Sequence, residues 1–246
     1  MDDQSGLRLA ATDSPNAFPV NPDIKIAWER STTAGSKDQI LLPFSYVFGK
    51  RVVDITGAVV LAVVFSPILL AVTLALYSDG GTLLFRHTRI GKGGKAFKVY
   101  KLRTMVPNAD KVLRDLLANN AEQREEWLRD HKLKNDPRVT AVGNFLRRSS
   151  LDELPQLWNV LKGEMSLVGP RPVIREELRN YGRASRYYLA VKPGLTGLWQ
   201  VSGRNDTDYR RRVAMDRHYA KCASLSTDLM VLIKTVDVVL RRRGAY

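Results

Sequence analysis

The sequence predicts a mixed α/β fold: a small α/β domain with an N-terminal re-entrant membrane helix hairpin and amphipathic helices at the membrane interface. Three observations carry that prediction. The first is a run of 23 residues without a formal charge, Ile55 to Tyr77, rich in Val, Leu, Ile and Ala. The second is the basic character of both flanks of that run. The third is a stretch beyond residue 80 in which short β-patterned runs alternate with helical ones. The 246 residues suit one large domain with an appendage. They divide into a flexible tail at 1–49, a membrane-inserted helix at 50–79 and a folded domain at 80–246.

The tail is set apart by composition. Pro15, Pro19, Pro22 and Pro43 stand among small polar residues without sustained periodicity, which predicts a loosely packed segment. It is no secretory signal, since the apolar run begins too late and the N-terminus lacks a basic flank.

The apolar run would be about 35 Å long as a straight helix, enough for a hydrocarbon core of about 30 Å. Its length favours membrane over a buried core helix. Pro67 at its centre removes the bond to the Val63 carbonyl and predicts a kink. The hydroxyl of Ser66 is placed to satisfy that carbonyl inside lipid. Lys50 and Arg51 precede the run; Arg86, Arg89, Lys92, Lys95, Lys98, Lys101 and Arg103 follow it. Positive residues prefer the cytoplasmic side, so bases at both ends predict a helix that enters and returns on that one face. A straight span with a short tail outside is the alternative.

Downstream, Leu83–Ile90 and Phe97–Met105 read as strands about the turn at 91–95. That glycine-rich turn lacks the Ser or Thr of a Walker loop, and a hairpin is the favoured reading over a phosphate cradle. Pro107–Lys132 reads as one polar helix, Pro155–Lys162 as a short helix and Met165–Val168 as a strand. Arg175–Leu189 and Leu225–Arg242 read as helices, the latter with an apolar stripe of Leu225, Leu229, Leu232, Ile233, Val236 and Leu240. That stripe fits a partner, including a second copy in a homo-oligomer, or the membrane interface.

The formal net charge of +14 predicts an anionic partner. Residues 50–246 carry all of the excess, because the tail is net acidic. Cys222 is the only cysteine, and His87, His131 and His218 are scattered, which excludes a disulfide scaffold and a Cys/His zinc module.

Three stretches suit anion chemistry. In Ser149 to Gln156, Ser150 and Glu153 fit a capping box, yet Pro155 would then fall where a helix needs its N–H. A helix starting at Pro155 instead leaves Asp152 and Glu153 in the turn before it, beside Arg147 and Arg148, where phosphate and metal chemistry are favoured. Pattern alone leaves both readings open. In Gly169-Pro170-Arg171-Pro172, Pro170 and Pro172 clamp an arginine whose planar fork suits a phosphate; a rigid turn with a solvated Arg is the plainer reading. The stretch Lys192–Arg204, with three glycines and Trp199, describes a shaped loop able to hold a base or sugar, or equally a structural loop filled by Trp199.

Taken together, these stretches resemble the bacterial sugar transferases, the monotopic phosphoglycosyl transferases. The resemblance rests on the Ser66-Pro67 helix, Phe85 to Gly91, Lys101 to Met105, Lys134 to Arg138, Arg147 to Gln156, Gly169 to Pro172, and Pro193 to Arg204. It runs from about Lys50 to about Arg241. The chain resembles short, exopolysaccharide-initiating members without an N-terminal multi-helix membrane domain. The resemblance implies a two-step reaction at the cytoplasmic face of the bacterial inner membrane. Asp152 attacks the β-phosphate of a UDP-sugar and expels UMP, leaving a phosphosugar-aspartyl intermediate. Undecaprenyl phosphate, a polyprenyl phosphate, then takes the phosphosugar. Glu153 completes the dyad, Mg2+ neutralises the diphosphate with Asp152 as its protein ligand, and Arg171 binds the nucleotide. A UDP-hexose with glucose or galactose is favoured as donor.

The residues support this chemistry on their own terms. A carboxylate nucleophile is a known covalent catalyst, and an acid approaching a diphosphate needs neighbouring bases. Lys101, Arg103, Arg147 and Arg148 are candidates for that field, with Arg204 a further substrate contact. The basic character also fits anionic lipids of the inner membrane. A nucleic-acid-binding protein leaves the apolar run unexplained and shows no recognised signature, so nucleic acid is not expected. A non-catalytic membrane scaffold has no use for Asp152-Glu153.

Overall fold

The computed structural model describes residues 40, 42–78, 81–130, 133, 135–202 and 208–241. The tail expected at 1–49 falls outside them up to residue 39, as do Lys134, Gly203 and Arg204.

Helix α1 runs from Phe44 to Ser78, beginning inside the stretch that composition assigned to the tail. Its 35 residues span about 52 Å at roughly 1.5 Å per residue. The helix continues through Pro67. Ser66 Oγ donates to the Val63 carbonyl at 2.8 Å, the acceptor that Pro67 leaves without a backbone donor. Tyr46, Asp54, Ala58, Val72 and Leu76 form its buried stripe, while Val59, Val60, Val63, Val64, Leu70 and Leu74 are exposed. Only 11% of its most apolar window is buried, and it is long and apolar enough to cross a membrane.

Both ends of α1 are tied to the folded body. Lys50 Nζ donates to the Val168 carbonyl at 3.0 Å. Arg51 donates to the carbonyls of Val160 and Leu161 at 2.6 and 2.7 Å. Asp54 accepts from Ser166 Oγ at 2.8 Å and from Leu167 N–H at 2.9 Å. At the far end, Arg103 Nη2 donates to the Leu76 carbonyl at 3.1 Å, and Val72 and Leu76 pack with Leu102, Leu146 and Leu151.

Strands β1 (Leu84–Ile90) and β2 (Ala96–Leu102) pair antiparallel, from Leu84 opposite Leu102 to Ile90 opposite Ala96. Their turn is a 3₁₀ turn at Lys92–Gly94 in which Gly93 has φ +66°, a conformation glycine adopts without a Cβ penalty. The glycine-rich run is therefore a hairpin turn. Period-two alternation places Phe85, His87 and Arg89 on one face with their partners Lys101, Val99 and Phe97.

The polar helix expected at 107–132 is two helices, α2 (Ala109–Asn119) and α3 (Ala121–Asp130). Asn120 leaves helical geometry, and its Oδ1 accepts from Gln123 N–H at 3.0 Å. An Asn gains more by capping than by staying inside a helix. Helix α4 (Ala141–Ser149), capped by Thr140, was not apparent in the sequence. Gly143 is required there, because a Cβ would collide with the Thr104 carbonyl.

Asp152 and Glu153 lie neither in a capping box nor in a plain turn. They sit in a 3₁₀ helix, Leu151–Gln156, which contains Pro155 and runs into α5 (Leu157–Lys162). Ser150 makes no side-chain cap and instead takes φ +58°, ending α4 in the left-handed region. Asn159 of α5, fully buried, donates to the Lys98 carbonyl at 2.8 Å and to Glu164 at 2.7 Å, fixing α5 on β2.

Strand β3 (Ser166–Val168) pairs in parallel with β4 (Gly194–Thr196). The single helix expected at 175–189 is α6 (Arg175–Arg179) and α7 (Ser185–Ala190), parted by a 3₁₀ turn at Gly182–Ala184. The shaped loop at 192–204 contains β4 and a short helix α8 (Leu198–Val201). Helix α9 (Tyr209–Lys221) escaped the sequence reading because Asp216 interrupts its inner face beside Tyr219 and Ala220. Helix α10 (Leu225–Leu240) exposes Leu225, Leu229, Ile233 and Val236 and buries Asp228 and Val231. The main core joins Ala58 of α1, Val99 of β2, Leu157 of α5, Leu167 of β3, Tyr219 of α9 and Val231 of α10. Lys50, Tyr219 and Asp228 close it with bonds of 2.8 Å (Lys50 to Asp228) and 2.7 Å (Tyr219 to Asp228).

Candidate active site

The end of β2 faces the 3₁₀ helix that carries the acid pair. Lys101 Nζ lies 2.6 Å from Glu153 Oε1 and 3.9 Å from Asp152 Oδ2. Asp152 is 8% exposed. Burial pushes its carboxyl up to about 6; Lys101 opposes this, Glu153 adds to it and Arg147 opposes it. Near neutral pH the group is therefore mostly ionised, yet more basic than an ordinary aspartate, which suits a nucleophile.

Helix α4 brings Arg147 to the same place, its Nε donating to Thr104 Oγ1 at 3.0 Å. Burial depresses its pKa, with the charges of Asp136 and Asp152 acting against that. Asp136 is gripped by Arg138 at 2.8 and 2.7 Å. Burial pushes its carboxyl up, but the bonds from Arg138 outweigh this and hold it below its usual value. The Arg138 guanidinium rests 5.1 Å from the Trp127 ring centroid.

The segment Gly169–Pro172 follows β3. Pro170 is fully buried, and its carbonyl accepts from Gly194 N–H at 2.7 Å. A Cβ on Gly169 would run into the Lys192 carbonyl, so the approach of the two backbones requires glycine. Arg171 is exposed, 6.0 Å from the ring centroid of Trp199, and Arg212 lies 4.8 Å from the same ring. Trp199 is buried beneath these guanidinium groups, so its ring is a platform for arginines rather than a surface for a base.

Tyr188 joins this segment to the hairpin. Its hydroxyl donates to the Ile90 carbonyl at 2.6 Å and accepts from Val173 N–H at 3.1 Å. Ile90 N–H donates in turn to the Val173 carbonyl at 2.9 Å. Arg89, beside Ile90, is 3.8 Å from Glu177. Burial and then the charge of Arg171 depress its pKa, while Glu177, Tyr188 and Glu153 act in the opposite sense. Its charge thus couples to both the acid pair and the arginine segment. His87, on the same strand face, has a buried Nδ1 without a hydrogen-bond partner. Burial, and then Arg89 and Lys101, depress its pKa, against the backbone bond at Thr88 and the charge of Glu176.

The model of the family described as bacterial sugar transferase matches residues 45–242. The chain belongs to that family. An undecaprenyl-phosphate galactose phosphotransferase of Salmonella typhimurium is 53% identical over 199 residues, covering 81% of this chain and 42% of that protein. An exopolysaccharide production protein, ExoY, of Sinorhizobium fredii is 50% identical over 80% of this chain and 88% of its own length. A UDP-glucose:undecaprenyl-phosphate glucose-1-phosphate transferase of Caulobacter vibrioides is 41% identical over 80% of this chain and 72% of its own. The chain spans about half the length or less of several curated relatives it matches.

Among the residues singled out in the sequence, Asp152, Glu153, Lys101 and Arg147 come together. Arg148 is exposed on the last turn of α4. Arg103 bonds the Leu76 carbonyl through its buried guanidinium, and its Nη1 has no hydrogen-bond partner. Its contacts are those of a fastening for α1. Arg171, Pro170 and Pro172 lie on the segment after β3, where the charge of Arg171 reaches Arg89, and Arg204 lies outside the described residues. Sequence reasoning missed Arg89, Arg212 and Tyr188 as parts of this arrangement. Strand alternation from Lys101 back to Phe85 would have found Arg89; nothing local marks the other two.

No group of three or more Asp, Glu, His or Cys side chains gathers at one point among the described residues. Asp152 and Glu153 are the carboxylates that could hold Mg2+, an ion that is commonly bound by one or two carboxylates and completed by substrate phosphates.

Proposed function

We propose that the chain transfers a hexose 1-phosphate from a UDP-hexose to undecaprenyl phosphate through a covalent intermediate on Asp152. The observation that carries this reading is the buried, partly basic Asp152 carboxylate set between Lys101 and Arg147. An Asp152 oxygen attacks the β-phosphorus; the bond to the bridging oxygen breaks, and UMP leaves with its electron pair. A phosphate oxygen of the lipid then attacks the same phosphorus and returns the Asp152 carboxylate. Lys101, Arg147 and Arg89 supply positive charge to the phosphates in both steps, and Glu153 holds Lys101 in place. Mg2+, when bound at Asp152, would neutralise charge on the donor diphosphate. Arg171, backed by Trp199, would hold the nucleotide end by a planar fork.

The names of the relatives, galactose and glucose among them, support a hexose donor and an undecaprenyl phosphate acceptor. The anchoring of α1 supports the re-entrant arrangement. One folded body bonds Lys50, Arg51 and Asp54 near one end and Leu76 near the other, as expected of a helix that enters and returns on one face. The bases on both flanks favour the cytoplasmic face of the inner membrane. The exposed stripe of α10 would lie at headgroup level, where the lipid phosphate is.

A single-turnover experiment tests the mechanism. Enzyme, Mg2+ and UDP-hexose without lipid should release about one equivalent of UMP and add one hexose phosphate to Asp152. Asp152→Asn should lose both. Release of UMP only after undecaprenyl phosphate is added would exclude the covalent route.

A further inference from the structure

Helix α9 presents a second basic feature, on the face opposite Asp216. A cleft of about 420 Å³ is lined by Arg210, Arg217, His218 and Lys221 around Val213 and Ala214. These positions recur at helical spacing along the outward face, while Tyr209, Asp216, Tyr219 and Ala220 turn towards the body. The acid of α9 is thus unavailable to the cleft, being buried and bonded to Tyr181 at 2.7 Å.

The cations are gathered rather than spread. Arg217 and Lys221 lie 5.2 and 5.4 Å from the ring centroid of Tyr187, and Arg186 lies 4.9 Å from it. Tyr187 is only 7% exposed, so the ring forms a fixed seat beneath these side chains. The Arg186 hydrogen bond first, and then the charges of Arg186, Lys221 and Arg217, hold the Tyr187 hydroxyl below its usual pKa. No carboxylate lines the cleft. Among the described residues, Arg210, Arg217 and Lys221 have no acid within ion-pair distance. Like charges held this close repel unless an anion lies among them.

We infer that this cleft binds a phosphate-bearing anion separately from the site around Asp152. The forked donors of Arg210 and Arg217 pair with two oxygens of an anion at once, and three unpaired cations around one cleft match the multiple charge of a phosphate ester or diphosphate better than the single charge of a carboxylate. Two sources present that group: the headgroup of an anionic phospholipid and a soluble diphosphate. Neither needs a residue of the acid pair.

The test uses the full chain in detergent micelles and the double variant Arg217→Gln, Lys221→Gln, whose changes lie on the exposed face of α9. Native mass spectrometry is run with added phosphatidylglycerol, with phosphatidylethanolamine as the neutral control, and thermal melting with added inorganic pyrophosphate. A phosphatidylglycerol adduct about tenfold weaker in the variant, and absent with phosphatidylethanolamine, assigns the cleft to lipid. A saturable pyrophosphate stabilisation about tenfold weaker in the variant assigns it to a soluble diphosphate. If the double variant does not fold, Arg210→Gln is read in the same two assays. Equal binding by wild type and variant, or binding of neither ligand, overturns the inference.

Discussion

Lys101 bonds Glu153 at 2.6 Å and stands 3.9 Å from Asp152. One lysine thus serves two neighbouring acids unequally. Glu153 fixes the ammonium, and Asp152 feels its charge without losing an oxygen lone pair to a tight bond. This arrangement leaves the Asp152 carboxylate free of a tight bond to Lys101, as the proposed attack on phosphorus requires.

The pH dependence of the first half-reaction follows from it. The proposed attack by Asp152 needs its ionised form, so the rate of UMP release should rise with pH through an apparent pKa of about 6. Lys101→Met removes a charge that lowers this pKa and should move the acid limb to higher pH. Glu153→Gln removes a charge that raises it and should move the limb to lower pH, while slowing turnover by freeing Lys101. Rapid-quench pH profiles of the three proteins would test this; an unmoved limb in both variants would detach Lys101 and Glu153 from Asp152.

Asp216 makes a statement about stability. It is buried, and burial first pushes its carboxyl up to about 7; the Tyr181 hydrogen bond acts the other way. The ordinary carboxyl of the unfolded chain ionises near 3.8. A raised native pKa means that the contribution of Asp216 to stability is fully present below about 4 and is lost as pH rises through about 7. Asp216→Asn should flatten this slope in melting temperatures measured across that range in detergent. A parallel slope in wild type and variant would refute the assignment.

Arg171→Lys should weaken use of the UDP-hexose by about 1–3 kcal/mol, because a point charge replaces a fork that bonds phosphate oxygens in pairs. The expected change is a higher donor KM with an undisturbed lipid KM. Steady-state kinetics with each substrate varied in turn distinguish this from a general loss of activity.

The anchoring of α1 predicts same-side labelling. Cysteines placed at Ser45 and Thr82, in a chain whose exposed Cys222 is replaced by Ser, should react with an impermeant maleimide from one side of sealed vesicles. Reaction from opposite sides would mean a full span.

The 23 uncharged residues from Ile55 specify a long apolar helix wherever they are placed, because no aqueous surface accommodates them. The β1–β2 hairpin, the stripe of α10 and the Asp152-Glu153 pair were legible for a similar reason: period, turn residues and adjacent charges are local properties. The break at Asn120, the 3₁₀ helix around Asp152 and helix α9 were not legible, since each depends on a cap, a proline or a buried acid whose preferred geometry competes with the pattern around it. The partners of the charged side chains were even less accessible. Arg103 and Arg147 are neighbours of similar motifs, yet one bonds the Leu76 carbonyl and the other reaches Thr104 beside the acid pair. The sequence by itself determined which residue types were available for phosphate chemistry and which segment had to leave water. Tertiary structure alone decided which arginines meet Asp152, because the charge that a carboxylate feels depends on distance and burial, and both are set by contacts between residues far apart in the chain.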